Sequence, residues 1–371
     1  MNPFSYGTIV KNEHFYDRQE ECSRIVSTLA NGNNIVLFAP RRYGKTSLVF
    51  KVIEELESQD LLCVYFDFMP IFSVETFITN YVEAIKKKQS NLQKFIQTLA
   101  GVVRNIRPKL TFDMSGNPEF GIELLETSIS AQTLSEVLDL PEKLAQTGKR
   151  LVVIFDEFQE ITKFDNYNFE SLLRSKIQQQ NVNYLFLGSR THLLNDMFNN
   201  KKRAFYNSAS HIQLNTLPRE ETISYLHRQF STSGITIDRE NALELIEEAG
   251  DIPYYIQLLA AEVWQYMINS EFVVTSEIIK LCSSKIIELK QDYYFELFDR
   301  QSVLQKKLLK ALVINGENVF SSDYVKRFRL SATSSVQKAI VVLMDNGLID
   351  RTMNNYFISD PFFRRYIENY A

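Results

Sequence analysis

Residues 35–53 constrain this chain more than any other stretch. An apolar run, Ile35-Val36-Leu37-Phe38, passes through Ala39-Pro40-Arg41-Arg42-Tyr43-Gly44-Lys45-Thr46 into a helical pattern, Ser47-Leu48-Val49-Phe50-Lys51-Val52-Ile53. A strand, a tight polar loop and a helix in that order form a phosphate-binding loop of the GxxxxGK[ST] type. Backbone N–H groups line such a loop, and the helix start adds its positive dipole end. Gly44 lets the backbone come close to a phosphate, Lys45 reaches the β- and γ-phosphates, and the Thr46 hydroxyl is suited to Mg²⁺. Ala39 stands where the first Gly of the motif usually sits, which is a mild change if its φ stays negative, and Pro40 fixes φ beside it.

A second run completes the chemistry. Leu151-Val152-Val153-Ile154-Phe155 is unbroken apolar sequence, as a strand buried on both faces requires, and it ends in Asp156 and Glu157. Ligands of open α/β sheets bind at the carboxyl ends of the strands. Asp156 is therefore the candidate Mg²⁺ holder and Glu157 the candidate general base for an attacking water. One acid there would read as a helix cap; two beside a phosphate loop read as a catalytic pair.

Composition bounds the alternatives. A chain of 371 residues that is 45% hydrophobic and 23% charged is globular and expected to form two or three domains. A net charge of −4 gives no overall basic signature for nucleic acid. Cys22, Cys63 and Cys282 have neither disulfide nor zinc spacing, which fits a reducing, cytoplasmic setting, and Cys63 reads as core. No signal-peptide pattern and no apolar run of membrane-spanning length appear, so no membrane partner is expected.

Apolar strands alternate with helical patterns at Leu61–Asp67, 74–87, 132–147, 168–179, Tyr184–Ser189 and His211–Leu214. That alternation predicts an α/β fold with a doubly wound parallel sheet. Alternation about Ser115-Gly116-Asn117-Pro118 predicts a β-hairpin insertion at about 108–125. Helices alone follow from Pro218 to about Lys290, with Pro253 interrupting the pattern. The tail reads as three helices, the third capped by Ser331, and a hairpin turning at Met353-Asn354-Asn355: a C-terminal winged helix-turn-helix. The expected domains are 1–216 (core), 217–295 (helical lid) and 296–371 (winged helix).

With these elements placed, the sequence resembles the archaeal-type ATPase family of prokaryotes, in the STAND branch near the AAA+ class of P-loop NTPases. The resemblance runs over nearly the whole chain. It is carried by Asn2-Pro3-Phe4, Phe15-Tyr16-Asp17-Arg18-Gln19-Glu20-Glu21, the loop from Pro40 to Ser47, Phe155-Asp156-Glu157-Phe158-Gln159, Gly188-Ser189-Arg190, Gly250-Asp251-Ile252-Pro253-Tyr254-Tyr255 and Asp360-Pro361-Phe362-Phe363-Arg364-Arg365. The resemblance implies ATP as substrate with Mg²⁺. It places Ser189 at the sensor 1 position, Pro253 against the base and the N-terminal motif, with Arg18, by the adenine. On the residues alone, Ser189 suits a hydrogen bond to the attacking water or γ-phosphate and equally a turn cap; Pro253 offers a flat apolar face for adenine and also breaks a helix; Arg18 pairs with a carboxylate or senses phosphate, or is a solvated cation. The family often carries an Arg after an aromatic-Tyr pair, where this chain has Ser208. Either Arg203 or Arg190 substitutes, a partner supplies the cation, or turnover is slow. Arg41 and Arg42 belong to the nucleotide-binding set by position, on a loop where solvent or a partner can also reach them.

The function these readings imply is an ATP-hydrolysing switch that couples nucleotide state to the winged-helix tail and to an unknown protein partner. Two other classes stay open: a nucleotide-regulated DNA-binding protein (a regulator, or one tied to mobile elements or defence) acting through residues 321–358, and a scaffold with very slow turnover. Lys326, Arg327, Arg329 and Lys338 supply a modest cationic cluster for DNA, while the third helix is poor in base-reading side chains. No NKxD-type motif argues for GTP, and the sequence leaves the oligomeric state open.

Overall fold

The computed structural model describes residues 2–8, 18–89, 91–112, 118–125, 129–146, 148–268, 272–352 and 355–371. Phe15, Tyr16 and Asp17 of the N-terminal motif, the hairpin turn at 115–117 and the wing turn at 353–354 lie outside the described residues. The chain forms two compact units. One is Gln19–Ala39 with Leu48–Leu214; the other comprises the described residues of Met1–Arg18, Pro40–Ser47 and Asn215–Ala371.

The first unit is a parallel sheet with helices. In chain order it runs α1 (Gln19–Ala30), β1 (Ile35–Phe38), α2 (Lys45–Ser58, whose first three residues belong to the second unit), β2 (Leu62–Asp67), α3 (Val74–Lys86), α4 (Leu92–Val102), β3 (Ile106–Phe112), β4 (Pro118–Leu124), α5 (Ala131–Leu138), α6 (Leu140–Ala145), β5 (Leu151–Asp156), a 3₁₀ helix (Phe158–Tyr167), α7 (Phe169–Gln179), β6 (Asn183–Gly188), α8 (Thr191–Asn199) and β7 (Ser210–Gln213). Sheet order is β2-β5-β6-β1-β7, every neighbour parallel. β1 and β5 are buried at every residue, which is why both read as unbroken apolar runs. Asp67 pairs in register with Asp156, and Phe38 with Gly188, so β2, β5, β6 and β1 end along one edge. β3 and β4 form a separate antiparallel pair.

The interior behind that edge is aromatic. Phe155 is fully buried, with ring centroids of Phe68, Tyr184, Phe158 and Tyr81 at 5.3, 5.7, 5.9 and 5.9 Å. The expected helix over 132–147 is two: α5 ends at Leu138, Asp139 joins them, and Pro141 stands in the first turn of α6, where a missing N–H is harmless.

The second unit holds α9 (Arg219–Ser231), α10 (Arg239–Glu248), α11 (Pro253–Met267), α12 (Ser276–Leu289), α13 (Gln291–Asp299), α14 (Val303–Ile314), α15 (Ser322–Arg327), α16 (Thr333–Asp345), β8 (Ile349–Thr352), β9 (Asn355–Ile358) and α17 (Pro361–Tyr370). α14–α16 with the β8–β9 hairpin are the winged helix-turn-helix. Ser302 and Ser321 cap α14 and α15 by accepting backbone N–H groups. Ser331 does not cap α16: Ala332 occupies that position, without a side-chain bond. Pro253 opens α11 rather than breaking a helix. Phe4 packs on α9, 4.7 Å from the Phe230 ring and 6.3 Å from Tyr225, and Asn2 donates to the Ala261 carbonyl of α11 at 3.1 Å. The N-terminal Asn-Pro-Phe thus anchors to the helical layer. Among the described residues no helix is long and apolar enough to cross a membrane.

Candidate nucleotide site

The loop after β1 turns on two left-handed residues. Gly44 has φ 80, and Arg42 has φ 72 with a full side chain, a conformation that costs about 1–3 kcal/mol. Ala39 is buried and keeps a negative φ, so its replacement of the usual Gly needs no strained backbone. Lys45 is buried at 7% exposure at the first position of α2, followed in its first turn by Thr46 and Ser47; Pro40 is half-buried and Arg41 exposed. Tyr43 is buried in the core of the second unit.

Arg18 and Arg42 brace this loop. Arg18, 2% exposed and at φ 66, donates to the Tyr43 carbonyl at 3.2 Å and to the Asn215 carbonyl at 2.7 Å. The Arg42 guanidinium carbon lies 5.1 and 4.9 Å from the ring centres of Tyr254 and Tyr255, and Nη1 pairs with Asp360 at 3.4 Å. Its carbonyl accepts the Tyr254 N–H at 3.4 Å, in the turn that Pro253 begins. Asp360 in turn caps α17, accepting Phe362 N–H at 2.9 Å and Phe363 N–H at 3.2 Å, and accepts the Tyr294 hydroxyl at 3.3 Å. Burial and then the Asp360 charge push the Tyr294 hydroxyl up, which keeps it a donor. A run of contacts inside one unit therefore joins the phosphate loop, α11 and the end of the winged helix. A cavity of about 790 Å³ opens in the same unit, lined by Tyr43, Asp251, Asn315, Tyr356 and Arg364 among others.

The acidic end of β5 is organised by hydrogen bonds. Asp156, 4% exposed, accepts the Tyr65 hydroxyl at 2.9 Å and the Glu157 N–H at 2.8 Å. Burial, followed by the Asp156 charge, pushes the Tyr65 hydroxyl far up, so it stays protonated and donates. Glu157 has φ 49, and its Oε2 accepts Ser189 Oγ at 2.8 Å, Ser189 N at 3.3 Å and Gln159 Nε2 at 2.6 Å. Arg203 is engaged by Glu170 at 2.5 Å and Asp196 at 2.9 Å. Arg190 approaches Glu160 at 3.9 Å. Of the nine left-handed non-glycine residues described, Arg18, Arg42, Glu157 and Asp251 fall on the singled-out motifs, which is where strained backbone concentrates in functional sites.

No three His, Cys, Asp or Glu side chains gather as a metal cage among the described residues. A phosphate-binding loop that ends in a hydroxyl, as this one does at Thr46, has the chemistry Mg²⁺ uses, because that ion keeps waters and is held largely through substrate phosphates. Sequence reasoning passed over Tyr65, Tyr294 and the hydrogen-bonding role of Gln159. The only signal for Tyr65 was a polar tip on an apolar strand, two residues before that strand ends.

The profile of an "ATPase domain predominantly from Archaea" matches residues 15–259, more than half of the chain. The chain belongs to the archaeal-type ATPase family. A second profile, "probable winged helix domain", matches residues 292–369. Among solved structures, the chain is similar to a Walker-type ATPase of Pyrococcus abyssi (18% identity, 99% of each chain covered, TM-score 0.66). It is also similar to the ORC2 protein of Aeropyrum pernix in ADPNP–ADP complexes (12% identity, 99% of this chain and 96% of that one, TM-score 0.57). A third likeness is to ORC1 of the same organism in complex with DNA (12% identity, 98% and 94% covered, TM-score 0.50). A search of curated proteins finds no match. These likenesses establish a P-loop ATPase fold with a C-terminal winged helix.

Proposed function

We propose that this member of the family is an ATP-hydrolysing switch of the STAND type, with domains at 1–216, 217–295 and 296–371, in which the nucleotide state of the 39–47 loop sets the winged helix. The observation that carries the reading is the Arg42 cluster: one loop cation is shared by Tyr254 and Tyr255 of α11 and by the cap of α17. In this reading a change of loop conformation on gaining or losing phosphate alters that cap or releases it. The loop N–H groups and Lys45 hold the phosphates, Pro253 faces the adenine, Glu157 takes a proton from the attacking water, and Ser189 hydrogen-bonds that water or the γ-phosphate. Thr46 and Asp156 would hold Mg²⁺, which supplies charge neutralisation at the β- and γ-phosphates. Arg203 is committed to Glu170 and Asp196, which supports slow turnover until a partner supplies a cation. The three buried free cysteines are compatible with a cytoplasmic setting.

The test is a pair of variants of the full chain. Lys45→Ala abolishes binding of labelled ATP. Glu157→Gln retains binding while turnover falls at least about 100-fold, the scale of general-base catalysis. Undiminished ATP binding by Lys45→Ala sinks the assignment.

A second reading, nucleotide-regulated DNA binding, is favoured by the exposure of Lys326, Arg327, Arg329 and Lys338 on the winged helix. The DNA complex of Aeropyrum pernix ORC1 belongs to that protein; here it motivates a shift assay of the full chain over a salt series. Phosphate contacts lose affinity steeply with salt.

A further inference from the structure

Gln159 sits in the 3₁₀ helix after Glu157, 1% exposed. Its Nε2 donates to Glu157 Oε2 at 2.6 Å and lies 3.4 Å from Glu160 Oε1, while its Oε1 has no hydrogen-bond partner among the described residues. Burying an amide with an unsatisfied oxygen costs about 1–3 kcal/mol, which an apolar side chain of the same shape would avoid. The amide lies against Gly188: a Cβ there would stand 2.1 Å from Gln159 Oε1 and 2.4 Å from Leu194 Cδ1, so a larger residue would force these side chains to move. The unsatisfied oxygen is a cost to the fold; what the side chain supplies in return is N–H for the carboxylates of Glu157 and, more distantly, Glu160.

Glu157 needs such a partner. It leaves β5 on a left-handed backbone, and its flexible side chain has several staggered states open to it. Ser189 Oγ approaches the same Oε2 at 2.8 Å, from the end of β6. Two side-chain donors from different elements converge on one oxygen and restrain the carboxylate.

We propose that Gln159 is a positioning residue, which with Ser189 holds the Glu157 carboxylate in the one orientation that can take a proton from the attacking water. The proposal rests on the reading of Glu157 as general base. A misplacement of about 1 Å in such a site costs on the order of 100-fold in rate.

The experiment compares Gln159→Met, Glu157→Gln and the double variant in the full chain. It measures kcat, KM for ATP, and equilibrium binding of a fluorescent ATP analogue. Met keeps the length and burial of Gln without the donor. The expected result is a fall in kcat of about 10- to 100-fold, KM and analogue binding unchanged, and no further loss when Gln159→Met is added to Glu157→Gln. Wild-type kcat in Gln159→Met, with Glu157→Gln inactive, overturns the positioning role alone. Parallel loss of kcat and analogue binding also overturns it, since that is the signature of a packing role. Wild-type turnover in Glu157→Gln overturns the base reading and the positioning role together. If Gln159→Met does not fold, Gln159→Ala is judged by the same kcat-against-KM split.

Discussion

The acidic end of β5 and the loop after β1 both hold charged groups in fixed geometry, by opposite means. Asp156 is buried and Glu157 half-buried, and both are restrained by short hydrogen bonds from Tyr65, Ser189 and Gln159. Arg42 has 42% of its side chain exposed and is restrained by two aromatic faces and a 3.4 Å ion pair. Removing the donor to a buried carboxylate such as Asp156 leaves that group unsatisfied at a cost of about 1–3 kcal/mol or more, so the strand end tolerates change poorly. An ion pair of this kind, with Arg42 exposed and Asp360 16% exposed, is worth about 0–1 kcal/mol, less than the hydrogen bonds at the strand end. In the proposed function, the first kind of restraint suits a hydrolytic centre and the second a switch.

Three changes probe that contrast. Phe155→Ala should have the largest effect, destabilising the chain by about 3–5 kcal/mol in a denaturant titration, because a fully buried ring leaves a cavity directly behind Asp156. A loss below about 1 kcal/mol would mean that the strand end is not rigidly backed. Tyr65→Phe keeps the ring and removes one donor from Asp156; the expected loss is about 1–3 kcal/mol, little changed between low salt and about 1 M NaCl. Asp360→Asn should have the smallest effect on stability, up to about 1 kcal/mol at low salt and vanishing at about 1 M. Its consequence should appear elsewhere: the difference in α17 hydrogen exchange between ATP-bound and ADP-bound protein disappears. An unchanged difference would show that Arg42 does not connect the loop to the winged helix.

Much of this architecture is legible in the sequence because it follows from local pattern. The unbroken apolar runs at 35–38 and 151–155 are what strands buried on both faces must look like, and the loop between β1 and α2 carries its own motif. Three helices and a hairpin at the tail follow from period and turn residues. Local pattern misled where two readings share one composition. An apolar-periodic stretch over 132–147 does not reveal that Asp139 joins two helices, and a Ser before a helix does not reveal that Ala332 takes the cap position.

The sequence by itself determined the parallel sheet, the phosphate loop, the acid pair and the winged helix, because each is written in residues close along the chain. Only the tertiary structure decided what those groups are tied to. It set Gln159 and Ser189 on one oxygen of Glu157, put Tyr65 on Asp156 from 91 residues away, and set Arg42 against Asp360 from 318 residues away. Such partners depend on sheet order, register and helix packing, and no spacing in the sequence encodes a hydrogen bond between elements that meet only when the core has formed.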